Sequence, residues 1–425
     1  MTLNLDHRTR YRDHNVDQVL GRHLPGSPSP IQYDSAVIAG NGIGAQVFAA
    51  QLAKSPQFAG KVTIVAPPLI ESRRLINGVS LRGVAADFIS YALGIDHATL
   101  LDTIAGRGNM PVAHRQMASM TVRRGADVRF TRPATWQGSR GDGRPEPILY
   151  GVRNSRLVGG IRELLAGSPV TFVDEKVGSS DHLRTFAAGK KPLLVNATTI
   201  PSLLGGSADK PKRLVLAVQA PLIASSPKGP AREATAFAPL IRREGTIDVG
   251  YFTPFSDPES PRSTWYGIFA RVVDADSRFD KEREHRIMVD ELEAVAAGMG
   301  LTLDDPDETL AKALVPASPW GKIPPSQPGT LDLKRMYSGG APCFYADGMV
   351  SSAIGGVVGA QAVATGNDPD AAIRNALRRY RWHNFLWWVE TNKIPILADV
   401  LMRVSGRTAM FYPHTAGLRL WRSAA

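Results

Sequence analysis

Along the first half of the chain, apolar residues come in short stretches separated by polar or proline-containing turns. "YDSAVIAG" (33–40), "KVTIVAPP" (61–68), "VTFVDEKV" (170–177) and "KPLLVNATT" (191–199) are each rich in β-branched or aliphatic residues. Such stretches predict short strands, and the near-continuous apolar run of the first predicts burial on both faces. Between the first two lies "AQVFAAQLAKS" (45–55), whose apolar residues recur at helical spacing. "RNSRLVGGIRELLAGS" (153–168) follows the same rule, and both predict helices. Strand, turn, helix and strand within about 30 residues make a βαβ unit, which builds a parallel sheet.

The texture then changes. "RLVLAVQAPLI" (213–223), "TIDVGYFTPF" (246–255) and "STWYGIFARVV" (263–273) are longer, are separated by Pro/Gly/Ser-rich loops and predict antiparallel strands. "DKEREHRIMVDELEAVAAGMG" (280–300) predicts an amphipathic helix stopped by glycine. After a proline-rich crossing, "APCFYADGMVSSAIGGVVGAQAVATG" (341–366) returns to the first style with a strand, a turn and a helix of small residues. Residues 70–150 show no clear period. No internal repeat is evident.

The turn between the first strand and helix is "GNGIGA" (40–45). Gly40, Gly42 and Ala45, with Ile43 and Gly44 between them, fit G-x-G-x-x-[GA]. The first glycine permits a tight turn, the second lets a pyrophosphate approach the backbone, and the small third residue lets helix and strand pack closely. The helix N-terminus then presents free N–H groups and a partial positive charge. The pattern follows a strand and opens a helix, the context that makes it a dinucleotide fingerprint; the alternative is a glycine-rich Asn41–Gly42 turn without a ligand. An acidic residue is expected at the end of the second strand, to bind a ribose hydroxyl pair. Ala66 stands there, and Glu71 lies beyond two prolines.

Length and composition narrow the function. The 425 residues suffice for two domains, with 43% hydrophobic and 21% charged residues, as in a soluble globular protein. The single cysteine, Cys343, excludes an internal disulfide framework and a cysteine-rich metal site, and it fits a reducing, cytoplasmic setting. No apolar signal core opens the chain, and no run of about 18 apolar residues predicts a membrane span. The net charge of +11 concentrates near the C-terminus, where nine Lys/Arg and four of the seven Trp fall between Asp370 and Ala425. That segment suits either helices packed on the body with their arginines in water, or peripheral contact with an anionic membrane or acidic partner. No nucleic-acid module accompanies the charge. Neither a P-loop, a nucleophile elbow nor metal-ligand spacing occurs.

The second glycine cluster, with Asp347 in "YADG" and Gly355–Gly356 eight residues on, extends the picture. Together the two segments resemble the FAD-dependent oxidoreductases built like the class A flavoprotein monooxygenases, a group that includes geranylgeranyl reductases and lycopene cyclases. The resemblance covers about residues 34–366. It implies an α/β fold: a Rossmann-like FAD-binding domain (31–205 and 320–370), an inserted antiparallel β-sheet substrate domain (206–319), C-terminal helices (371–425) and a polar N-terminal extension (1–30). It implies FAD, with Asp347 on the ribityl chain, Gly355 and Gly356 near the flavin at a helix N-terminus, Ala197 at the end of its strand, and Arg156 (or Arg153) near the cofactor. His114 and Arg115 are candidates for contact with flavin or substrate. On alternating strand positions Val249, Tyr251 and Thr253 share one face, and Trp265, Gly267 and Phe269 another. Tyr251, Trp265 and Phe269 are the substrate-lining candidates, against a reading of plain core packing. Asp347 also suits a helix-capping turn.

Three departures stand out. Ala66 replaces the acid, "TTIPSLLGG" stands where the hydroxylases carry an Asp-Gly motif, and Ile354 stands where a proline is usual. The second leaves the electron donor open between NAD(P)H, a separate flavin reductase and the substrate itself. The expected activity is a monooxygenase or related oxidoreductase acting on a small, largely apolar molecule, in secondary metabolism by resemblance. The alternatives are an isoprenoid-lipid reductase or cyclase at a membrane surface, and a redox-inactive flavoprotein-like binding protein. Because the cofactor carries the hard chemistry, no catalytic side chain is assigned.

Overall fold

The computed structural model describes residues 16–17, 20–21, 24, 33–68, 78–105, 114–116, 119–124, 127–133, 135–139, 145–147, 149–198, 200, 203–204, 213–224, 234–243, 246–254, 265–274, 280–304, 311–316, 326–333 and 348–377. The βαβ unit forms as the pattern predicts: β1 (Ser35–Ala39), α1 (Ile43–Lys54) and β2 (Lys61–Ala66). Beyond it come β3 (Gly78–Arg82), α2 (Gly83–Leu93), α3 (His97–Ala105), β4 (His114–Gln116), β5 (Ser119–Arg124), β6 (Asp127–Pro133), β7 (Thr135–Ser139), β8 (Pro145–Pro147) and β9 (Leu149–Arg153). Next are α4 (Asn154–Leu165), β10 (Val170–Asp174), α5 (Ser180–Arg184) and β11 (Pro192–Asn196).

A five-stranded sheet in the order β10-β2-β1-β11 and then β18 (Thr330–Asp332) is parallel throughout. Alternate residues enter two different cores, which is why β1 is apolar at every position. Ala36 and Ile38 join Val62, Ile64 and Val170 beneath the helices, while Val37, Ala39 and Val65 pack with Leu183, Leu203 and Leu204 on the other face. The central helix on the first face is α7 (Gly348–Ala364), buried along nearly its whole length, with α8 (Pro369–Ala376) packed against it. Its glycines let helices meet. A Cβ on Gly356 would stand 3.1 Å from Gly44 O and from Val47 Cγ1 on α1, and one on Gly359 would stand 2.8 Å from Ile373 Cδ1 on α8.

The second sheet is antiparallel except where β13 (Ala234–Arg243) meets β5. Its core is β12 (Arg213–Ala224), β15 (Trp265–Asp274), β14 (Thr246–Pro254) and β13, extended by β5 and β6 on one side and by β16 (Leu301–Leu303) and β17 (Ala311–Pro316) beside β12. It therefore recruits 119–133, which the sequence placed with the nucleotide-binding segments. β13 was hidden because Pro239 interrupts its pattern. The structure accommodates that proline at a register shift between Pro239 and Ile241. One face is covered by α6 (Lys281–Gly298), which contributes Met288, Leu292, Val295 and Ala296.

The polar N-terminal segment is not wholly detached. Val16 and Leu20 are buried in the main core, and Tyr91 Oη donates to Asp17 Oδ1 at 3.1 Å. Among the described residues no helix is long and apolar enough to cross a membrane.

Candidate cofactor site

Residues 40–45 link the C-terminal end of β1 to α1. Gly40 has φ +108°, a conformation that L side chains rarely adopt. Its N–H donates to Val65 O at 2.9 Å, and Ala197 N–H donates to Ala39 O at 2.9 Å. A Cβ on Gly40 would lie 2.9 Å from Ala197 O. The first glycine is thus required by the protein itself, since β11 and β2 close around the turn. Ala197 contributes by this backbone approach.

Gly42 differs. Its φ of −70° and ψ of 172° are open to any residue, yet a Cβ there would meet nothing within 4 Å. Among the described residues no atom lies within 4 Å of that position, and neither backbone strain nor packing demands glycine there. Ile43, Gly44 and Ala45 are buried, and no acidic side chain occupies the first turn of α1. A small-residue cradle that a Cβ would fill, at the positive end of a 12-residue helix, fits a pyrophosphate.

The cradle is braced by a residue that the sequence reading passed over. Gln46, fully buried on α1, donates from Nε2 to Asn41 O at 2.8 Å and to Val158 O on α4 at 3.1 Å. Asn41 Nδ2 in turn donates to Pro67 O at 3.1 Å beyond β2. One buried amide and one loop amide therefore fix the turn against α4 and β2. The available signal was a polar residue in an otherwise apolar helix, and Gln51 shares it, donating to Gln361 Oε1 on α7 at 2.9 Å.

The bond from Gln46 to α4 brings the arginine candidates to the same edge. Arg153 is the N-cap of α4 and Arg156 lies in its first turn, both half-buried. Arg115 sits in β4, in register with Gly151 of β9, and His114 with Val152.

Other candidates fall elsewhere. Gly355 and Gly356 are not at a helix N-terminus: α7 begins at Gly348, so both lie two turns inside it and are buried. The need for glycine at 356 is contact with α1, which corrects the expectation of a flavin-facing role. Asp347 lies outside the described residues. Trp265 and Phe269 are each 1% exposed and pack between the sheet and α6, and a Cβ on Gly267 would stand 2.8 Å from Leu292 Cδ1. They form core, not a substrate surface. Tyr251 pairs in register with Ile268, off the row of Trp265, Gly267 and Phe269.

The end of β11 explains the missing Asp-Gly motif in structural terms. Asn196 Oδ1 accepts from Thr198 N and Oγ1, at 3.0 and 2.7 Å, and Asn196 Nδ2 donates to Ile200 O at 2.9 Å. Thr198 Oγ1 accepts from Ile200 N at 3.0 Å. Strand-end polarity here is consumed in closing a turn, and no carboxylate is offered. Among the described residues no group of three or more His, Cys, Asp or Glu could hold a metal ion.

Comparison with known proteins finds the same architecture. No family model matches the chain, and no curated protein matches it. Solved structures do. A variant of HpxO from Klebsiella pneumoniae, complexed with FAD, is 13% identical with a TM-score of 0.55 over 90% of this chain and 97% of its own. The flavin-dependent brominase Bmp2 is 14% identical with a TM-score of 0.55, over 92% and 98%. MibH, a tryptophan 5-halogenase, is 16% identical with a TM-score of 0.54, over 84% and 73%. The chain has the fold of the FAD-dependent class A monooxygenases and flavin halogenases. Within that flavoprotein fold the Gly40–Ala45 turn occupies the first βα junction, and the resemblance read from the sequence holds at the level of fold.

Proposed function

We propose that the protein binds FAD and is an oxidoreductase of the monooxygenase type, acting on a small, largely apolar organic molecule. The observation that carries this reading is the cradle at Gly42: open to a ligand, facing a helix N-terminus, and fixed from three sides by Asn41, Gln46 and Ala197. Gly42 and the first-turn N–H groups of α1 would take the pyrophosphate, and the arginines at the start of α4 would add positive charge at the same edge. Bound FAD would supply the redox chemistry. The chain's own part is to hold the turn rigid and to keep carboxylates away from the phosphates. The closed Asn196–Thr198 turn supports electron supply by a separate reductase.

Purified protein should take up FAD with yellow colour and quenched flavin fluorescence. NADH and NADPH oxidation is then measured with and without an added flavin reductase. Turnover only with the reductase supports the reading. Because two of the similar structures are a halogenase and a brominase, the assay includes chloride and bromide, with product masses distinguishing oxygen from halogen transfer. Failure to bind FAD at all would sink the proposal.

A further inference from the structure

Ala66 leaves the adenosine ribose without its usual acidic partner, and the sheet supplies another. β10 runs parallel beside β2, and the last pair in register is Asp174 with Ala66. Val62, Ile64, Val170 and Phe172 all face the core beneath α1 and α4, so strand alternation puts Ala66 and Asp174 on that same face. Both stand at the C-terminal edge of the sheet, where nucleotides bind in open α/β folds. The Asp174 carboxylate is half exposed and already oriented. Arg162 Nη2 on α4 donates to its Oδ1 at 2.8 Å, and that guanidinium lies 4.8 Å over the ring of Phe172. Among the described residues Arg162 is the partner of Oδ1, and Oδ2 remains as an acceptor.

We propose that Asp174, one strand over from the usual position, accepts the hydroxyl hydrogen bonds of the adenosine ribose. This rests on the FAD reading above. Ala66 offers no carboxylate beside Asp174, and Arg162 holds the Asp174 carboxylate in place. Phe172, Arg162 and Asp174 therefore act together, the first two as positioning residues.

The test is an equilibrium fluorescence titration of the full chain with FAD, with its 2′-deoxyadenosine analogue, and with FMN, which lacks the adenosine. Wild-type protein should prefer FAD over the deoxy analogue by about tenfold or more, the range for a hydrogen bond to a charged group. Asp174→Ala and the milder Asp174→Asn should lose that preference while FMN affinity stays unchanged, and adding Ala66→Glu to Asp174→Ala should restore it. Two outcomes would overturn the proposal: an undiminished preference in Asp174→Ala, or an equal loss of FAD and FMN affinity with a lowered Tm and no rescue, which marks a purely structural ion pair. A wild-type chain that binds no flavin refutes the FAD reading as well, and is thereby told apart from failure at Asp174 alone.

Discussion

Two glycines separated by one residue carry opposite requirements, and each makes its own prediction. At Gly40 the positive φ and the approach of Ala197 O mean that Gly40→Ala strains the backbone and displaces β11. It should cost about 1–3 kcal/mol of stability, read as a lower Tm without any ligand. At Gly42 a methyl group meets no atom of the described residues within 4 Å, so Gly42→Ala should fold with an unchanged Tm and lose FAD affinity by at least about tenfold. An equal FAD affinity in Gly42→Ala would show that the cradle is not a pyrophosphate site. This residue pair was legible in the sequence because glycine spacing encodes backbone geometry locally. The role of Gln46 was not, since a buried amide declares its partners only when α4 folds against α1.

At the scale of elements, legibility followed the range of the interactions. The parallel strands and α1 could be read because their two buried faces require apolar residues at nearly every position. β3, β4 and β9 form a small antiparallel sheet from 78–153 that no period revealed, because short strands leave too few residues to show one. Trp265 and Phe269 stayed open between pocket and core for another reason: alternation defines two faces without saying which one a helix covers. That face carries a second unforeseen feature. Arg271 continues the row of Trp265, Gly267 and Phe269, is 4% exposed, and bonds Glu284 on α6, with Glu291 Oε2 at 3.7 Å from its Nη2. Arg271→Ala would leave Glu291, itself buried, without its guanidinium. Breaking a buried ion pair from one side costs about 3–5 kcal/mol. The variant should therefore show a lower midpoint in urea unfolding, while FAD affinity at the other sheet is retained. An unchanged midpoint would mean that solvent reaches this layer after all.

At the scale of the molecule, the described core divides into clusters that do not share residues. The largest lies between the parallel sheet and α1, α2, α4 and α7, and a separate one lies between β12, β14, β15 and α6. The proposed FAD site lies on the parallel sheet and its helices, drawing on β1, β2, β10, β11, α1 and α4, and takes nothing from the second. Ligand binding stabilises whatever must be folded to bind, by about 2.7 kcal/mol at a hundredfold excess over Kd. If the two clusters open independently, that gain should be confined to one of them. Hydrogen exchange with saturating FAD should then slow about a hundredfold in the most protected amides of 35–66, 154–174 and 192–196, with little change in α6 at 281–298. Equal slowing in both would show that the sheets unfold as one cooperative unit. Slowing confined to α6 would place the ligand on the other side of the molecule and remove the Gly42 cradle from the argument. The N-terminal segment gives the same experiment an internal check. Val16 and Leu20 are buried in the first cluster, so their amides should follow the parallel sheet although they lie outside it in sequence.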